Sequence, residues 1–102
     1  MLGEYSLPCT IRFNDKELDG RISLGVDGIF IYKTKLFRRP KLVFYIPYAN
    51  IISVYLKKNI LFNKVMIEFK QGFEVKTLEI IGNRDIGNLG YKLVSIKEWG
   101  LY

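Results

Sequence analysis

Residues 20–32 read GRISLGVDGIFIY, and the fold is predicted outward from this stretch. Ile22 and Leu24 alternate with polar neighbours, which is the period-two pattern of a half-buried strand, and the run IFIY resumes it after a turn. Between the two runs, Asp27 and Gly28 form a favoured hairpin pair, because glycine adopts positive φ without steric cost. The stretch therefore predicts a β-hairpin.

Most of the remaining chain shows the same alternation of β-branched and aromatic residues, interrupted by turn residues every 8–14 positions. The predicted strands are Leu7–Phe13, Glu17–Leu24, Ile29–Thr34, Lys41–Ile46, Ile51–Lys57, Lys64–Phe69 and Phe73–Ile80. Seven strands in a meander predict a mainly β fold, all-β or α+β, with one domain over residues 1–102.

The period changes after Asn83, a suitable helix N-cap, and an amphipathic helix is predicted from Arg84 onward. Its apolar stripe consists of Ile86, Leu89, Leu93 and Ile96, and Gly100 would end it. Gly87 and Gly90 disfavour a helix by about 1 kcal/mol each, so we expect them where the helix approaches the sheet closely. The helix is therefore predicted to pack on the strands.

Several segments together resemble the pleckstrin-homology-like superfold, in particular its GRAM and bacterial PH-like branches. The matching pieces are the hairpin of residues 20–32, the segment YIPYANIISV at 45–54, and LFNKVMI at 61–67 with the glycine turn that follows. The resemblance runs from about Leu7 to Trp99. It implies a seven-stranded, partly open antiparallel barrel capped by one C-terminal helix, with Trp99 in the core, and a binding module or adaptor rather than an enzyme.

Composition excludes most catalytic chemistry. The 102 residues include no histidine and a single cysteine, Cys9, which we expect in the core of the first strand. A Ser-His or Cys-His pair, an imidazole ligand and an internal disulfide are therefore impossible, and we expect no enzyme activity, cofactor or metal site. No signal peptide or bilayer-length apolar run occurs, so we expect a cytoplasmic protein, with peripheral membrane contact left open.

The net charge of +6 is unevenly distributed. The window from Gly28 to Ile67 holds eight lysines and arginines and no acid, whereas the rest of the chain holds eight bases and ten acids. Two readings stay open: a basic patch that faces a partner, or lysines scattered over exposed strands and loops. In a meander the first, third and fifth connections share an end, which predicts that 14–16, 35–40 and 58–63 form one basic rim.

The candidate anion- or partner-binding residues lie in this window: Lys33, Lys35, Leu36, Phe37, Arg38, Arg39, Lys41, Lys57, Lys58 and Lys64. Leu36 and Phe37 stand between cations, so they suit insertion into an anionic membrane, stacking on nucleic acid, or packing inward over the barrel mouth. The resemblance to the pleckstrin-homology-like superfold implies that Leu61 and Phe62 pack in the core where the sixth strand begins.

These features favour a non-enzymatic adaptor that docks an acidic protein surface or anionic lipid headgroups through the basic rim. Two alternatives remain: a nucleic-acid-binding β-barrel, and a structural module that forms homo-oligomers. A small-molecule substrate is not expected. Family members that bind phosphoinositides carry a basic signature in the first hairpin, but Arg12–Arg21 mixes three acids with three bases and lacks the R-x-R pair. Specific inositol phosphate recognition is therefore not predicted.

Overall fold

The computed structural model describes residues 6–98, which form seven antiparallel strands and a C-terminal helix, as the alternation predicts. The elements are β1 (Leu7–Phe13), β2 (Lys16–Leu24), β3 (Gly28–Lys33), β4 (Lys41–Pro47), β5 (Ile51–Lys58), β6 (Asn63–Gln71), β7 (Glu74–Gly82) and α1 (Arg84–Glu98). A one-turn 3₁₀ helix, Tyr48–Asn50, joins β4 to β5. The predicted roles of Trp99 and Gly100 fall outside the described residues.

All seven strands belong to one sheet in the order β4-β3-β2-β1-β7-β6-β5, which curls into a half-barrel. β1 is the central strand: it pairs along its whole length with β2, from Leu7 opposite Ile22 to Phe13 opposite Lys16. It also pairs with β7 through Thr10–Arg12. β4 and β5 are the two edges of the sheet, although the chain runs directly from one to the other.

The core lies on the concave face of the sheet, under α1. Alternate residues of the strands are fully buried there, because successive side chains point to opposite faces. The buried set is Ile11, Ile22, Ile29, Ile31, Ile46, Val65, Ile67, Phe69, Leu78 and Ile80, together with Ile86, Leu89 and Leu93 from the helix stripe. The predicted amphipathic face of α1 is thus confirmed.

α1 lies close to the sheet at Gly87 and Gly90, as predicted. A Cβ atom on Gly90 would lie 2.8 Å from Val65 Cγ2 and 3.2 Å from Leu56 Cδ1, and one on Gly87 would lie 2.8 Å from Asn63 Nδ2. No larger residue fits at Gly90 without displacing a β-branched side chain of β6. The helix therefore covers the end of β5 and the start of β6.

The link between the two sheet edges is fixed by Tyr48, which is 2% exposed. Its hydroxyl donates a 2.7 Å hydrogen bond to the carbonyl oxygen of Gly25, and its backbone N–H donates a 2.9 Å bond to the carbonyl oxygen of Asp27. Both acceptors lie in the β2–β3 turn, so this turn and the β4–β5 link are held together.

Candidate functional site

The register of the sheet determines which connections lie together. β1 ends at Phe13 where β2 begins at Lys16, and β3 is antiparallel to β2, so the β3–β4 connection leaves the sheet at this end. β7 is antiparallel to β1, with Arg12 opposite Glu79, so β7 also begins here. The connections β1–β2, β3–β4 and β6–β7 therefore share one end of the half-barrel, which we term the open end.

The β5–β6 loop lies at the opposite end, which we term the helix end because α1 starts there. β6 begins at Asn63, directly opposite Gly82 at the end of β7. The prediction that residues 35–40 and 58–63 share one rim is therefore wrong. Connections alternate between ends only while successive strands are neighbours, and β4 and β5 occupy opposite edges of the sheet. The basic window is divided between two ends.

The β3–β4 loop carries an apolar tip at the open end. The backbone N–H of Arg38 lies 3.5 Å from the carbonyl oxygen of Lys35, so Leu36 and Phe37 are the central residues of a four-residue turn. Leu36 is 81% exposed and Phe37 is 96% exposed. Of the three sequence readings, inward packing over the barrel mouth is therefore wrong.

Phe37 also has an unusual backbone conformation, with φ of 60°. This is the third position of its turn, where a positive φ is normally supplied by glycine or asparagine. A bulky residue in the left-handed region is strained by roughly 1–3 kcal/mol, and such strain concentrates at functional sites. The loop thus maintains an aromatic side chain in solvent at a conformational cost.

The cations that flank this tip are available to a partner. Lys33, Arg38, Arg39 and Lys41 are exposed and Lys35 is half-buried. Within residues 6–96, none of the five forms an ion pair with a carboxylate. Five of the ten predicted site residues thus form one positively charged group around the tip at 36–37.

Phe73, which the sequence prediction placed in the last strand, lies instead in the β6–β7 turn of the open end. Gln71 pairs with Glu74, so Gly72 and Phe73 form a two-residue hairpin loop. Gly72 has φ of 65°, as the first central position of a type II′ turn requires, and Phe73 is 109% exposed. The sequence signal was Gly72 itself, because a type II′ turn centred on it moves Phe73 out of the strand.

Three phenylalanine rings fill the space below the open end. Phe13 stacks edge to face on Phe44 with ring centroids 4.7 Å apart, and its centroid lies 6.3 Å from that of Phe69. The Lys76 Nζ atom lies 5.7 Å from the Phe13 ring centroid. These rings connect β1, β4 and β6. Beside them, Arg12, Asp15, Glu74 and Lys76 line an open depression between the β1–β2 turn and the start of β7.

The β1–β2 turn adds little free charge to the open end. Arg12 Nη2 lies 3.2 Å from Glu17 Oε2, and Arg12 Nη1 lies 3.8 Å from Glu79 Oε2. Asn14 and Asp15 have φ of 52° and 62°, the positive values of a two-residue hairpin turn. Within this hairpin Arg12 pairs with Glu17, and the exposed Asp15 and Lys16 carry opposite charges, so the turn adds no net charge.

The other three predicted cations lie on the last two strands in the sheet order, Lys57 and Lys58 on β5 and Lys64 on β6. Lys64 Nζ lies 2.9 Å from Glu79 Oε2, and both side chains are about one-fifth exposed, at 21% and 22%. Lys58 Nζ lies 4.7 Å from the ring centroid of Tyr91 on α1. Lys57 is exposed. Lys64 is therefore neutralised within the fold, whereas Lys57 and Lys58 form a basic group at the helix end.

The prediction that Leu61 packs in the core is wrong. Leu61 is 90% exposed and its neighbour Ile60 is 101% exposed, while Phe62 is half-buried. The loop turns back at 60–61, so only Phe62 reaches the sheet. Ile60 is the residue at this loop that the sequence analysis did not single out.

Cys9 is partly buried, and its thiol is a weaker acid than a free cysteine thiol. Burial raises the pKa of its thiol to about 12, and the nearby Arg21 guanidinium offsets this only in part. Across residues 6–98, no three His, Cys, Asp or Glu side chains gather as a metal ion would require. Nor does any helix in that part of the chain combine the length and hydropathy needed to cross a membrane.

No protein-family model matches the chain, and no curated protein matches it significantly. The geometry of the open end combines the exposed tip at 36–37, flanked by cations without ion pairs, with the exposed Phe73 on a second turn.

Proposed function

We propose that this chain is a non-enzymatic binding module of the pleckstrin-homology-like kind, and that its open end docks on an anionic membrane surface. The observation that carries the proposal is a coincidence at one end of the half-barrel. Leu36, Phe37 and Phe73 are exposed at turn tips there, and the five cations that flank Leu36 and Phe37 form no ion pair within residues 6–96.

The energies suit reversible attachment. Each lysine or arginine near an anionic bilayer contributes about 1 kcal/mol, and the contribution falls off within a Debye length of about 8 Å. Burying a phenylalanine or leucine side chain contributes about 1.5–3 kcal/mol, less when it enters only the interface. The open end supplies both the electrostatic and the apolar contribution: the first from the cations at 33–41, the second from the tips at 36–37 and 73.

The form of the surface favours a membrane over an acidic protein or a nucleic acid. Apolar residues on separate turns can enter a fluid interface without a matching pocket, whereas a protein partner must provide one for each. Nucleic acids without base pairing stack on aromatic side chains set in a basic groove. Phe37 and Phe73 occupy two different turns, an arrangement that suits separate entry into a bilayer better than stacking along one strand.

The test is cosedimentation of the protein with vesicles. Wild type is expected to bind vesicles that contain equal amounts of phosphatidylcholine and phosphatidylglycerol, and to dissociate from them as the salt concentration rises. It should not bind vesicles of pure phosphatidylcholine. The double variant Leu36→Ser/Phe37→Ser is expected to bind about tenfold more weakly, which corresponds to about 1.4 kcal/mol. Tyr55→Ser is the matched control, because Tyr55 is 55% exposed but lies in the middle of β5; its binding should equal wild type.

Two results would contradict the proposal. One is absence of binding to the anionic vesicles at low salt. The other is equal binding by Leu36→Ser/Phe37→Ser and wild type. A gel-shift titration with single- and double-stranded oligonucleotides at the same salt distinguishes the nucleic-acid alternative, which tighter oligonucleotide binding would favour.

A further inference from the structure

A second apolar tip lies at the helix end, on the β5–β6 loop. The backbone N–H of Asn59 donates a 2.8 Å hydrogen bond to the carbonyl oxygen of Phe62, which leaves Ile60 and Leu61 at the centre of a four-residue turn. Their exposures are 101% and 90%. The turn at the open end also has two adjacent exposed apolar residues at its centre, although its hydrogen bond runs the other way, from the N–H of Arg38 to the carbonyl oxygen of Lys35.

Cations accompany this tip as well. Lys57 and Lys58 precede it and are exposed. Lys58 keeps its charge above the Tyr91 ring, since a cation–π contact does not neutralise the ammonium group. Arg84, at the start of α1, lines the same surface depression as Ile60 and Leu61. The helix end, like the open end, thus combines exposed apolar residues with neighbouring cations.

The distance between the two ends is set by β6, which runs from the β5–β6 loop to the β6–β7 turn. Its nine residues span about 30 Å at about 3.3 Å per residue. The longest dimension of the molecule is 39 Å. A flat surface that contacts the open end therefore does not reach Ile60 and Leu61, which are left to a second surface.

Resting on the proposed function, we infer that the helix-end tip is a second membrane contact and that one molecule bridges two anionic membrane surfaces. The charge distribution favours a bilayer over a second copy of the chain as the occupant. Two copies meeting tip to tip would bring Lys57, Lys58 and Arg84 against their equivalents, and this like-charge contact is unfavourable. An anionic surface attracts the same residues.

The experiment measures binding and clustering in the same samples of phosphatidylcholine–phosphatidylglycerol vesicles, by cosedimentation and by dynamic light scattering. Wild type is expected to increase the apparent vesicle diameter. Ile60→Ser/Leu61→Ser is expected to bind through its open end while losing that increase. Lys57→Gln/Lys58→Gln tests the same contact without changing an apolar residue, and it should lose the increase too. Tyr55→Ser should cluster vesicles like wild type.

Three outcomes would overturn the inference. Equal clustering by Ile60→Ser/Leu61→Ser and wild type would show that the helix-end tip is not a second membrane contact. Wild type that binds vesicles without clustering them would also overturn the inference, while leaving the open-end proposal intact. The third outcome is measured by sedimentation velocity without vesicles. A wild-type dimer that is lost in Ile60→Ser/Leu61→Ser would show that the tip contacts a second copy of the chain. Wild type that neither binds nor clusters vesicles contradicts the proposed function itself. Circular dichroism of each variant verifies that it is folded.

Discussion

Lys64 Nζ lies 2.9 Å from Glu79 Oε2 across the β6–β7 pair, and this contact separates a structural cation from the cations available to a partner. The two side chains are about one-fifth exposed, and Arg12 lies 3.8 Å from the same carboxylate oxygen. Lys64 therefore contributes its charge to the sheet. Arg38, by contrast, is exposed and forms no ion pair within the described part of the chain.

The pair of variants Lys64→Gln and Arg38→Gln removes one positive charge each and separates these roles. Arg38→Gln is expected to weaken binding to anionic vesicles about fivefold, for a loss of about 1 kcal/mol, and to leave stability unchanged. Lys64→Gln is expected to leave binding within about twofold while lowering the free energy of unfolding by roughly 1 kcal/mol. Cosedimentation and urea unfolding measure the two effects. Equal losses of binding would show that only net charge matters.

Phe37→Gly should separate stability from binding at a single residue. Glycine adopts φ of 60° without steric strain, so the variant is expected to be more stable by roughly 1 kcal/mol. Vesicle binding should fall, because the side chain that enters the interface is gone. Urea unfolding and cosedimentation provide the measurements. A less stable Phe37→Gly protein would mean that the ring supports the loop and is not displayed for a partner.

Gly90→Ala is expected to destabilise the protein although alanine favours helix. Helix propensity alone predicts a gain of about 1 kcal/mol. The added Cβ would lie 2.8 Å from Val65 Cγ2, and overpacking of this kind costs about 1–3 kcal/mol. Thermal unfolding should therefore show a lower Tm. Ser95→Ala, at an exposed position of α1, is the control and should show no loss.

Cys9 predicts a specific loss of stability at alkaline pH. Burial raises the pKa of its thiol from 9.0 to about 12, so the unfolded chain releases this proton at a lower pH than the folded protein does. Stability from this group is complete below pH 9.0 and is lost progressively towards pH 12. Urea unfolding across this range should show a smaller decline for Cys9→Ala than for wild type. Parallel slopes would contradict the assignment of the pKa shift to the thiol.

The same burial predicts slow alkylation of Cys9 by iodoacetamide in the folded protein and rapid alkylation after denaturation, because the thiolate is the reactive form. Equal rates in the two states would show that the thiol is open to solvent.

Strand alternation predicted the seven strands and the change of period predicted α1, whereas the errors concern how those elements meet. Alternation is a local property, so the strand limits were close throughout. The end to which the β5–β6 loop belongs depends on the pairing of Thr10 with Ile81, which no local pattern encodes. The exposure of Phe73 and Leu61 also escaped, since a turn that shifts by one residue exchanges a core position for a solvent position.

The sequence identified most residues of the candidate site, but not how they are arranged in space. The tip at 36–37 and its five cations were identified from sequence. The exposure of Phe73 was not. Lys64, one of the predicted cations, pairs with Glu79 on the next strand, fifteen residues away.

The central position of β1 has a consequence for how the chain folds. Its partner β7 lies at the far side of the sequence, with Thr10 opposite Ile81, so the β1–β7 pairing cannot form until β7 has been synthesised. Contacts between residues so distant in sequence slow folding, because the loop-closure entropy must be overcome before pairing is rewarded. A nascent chain that ends after β4 presents β1 with one unpaired edge. We therefore expect the sheet to close only once β7 is available to pair with β1.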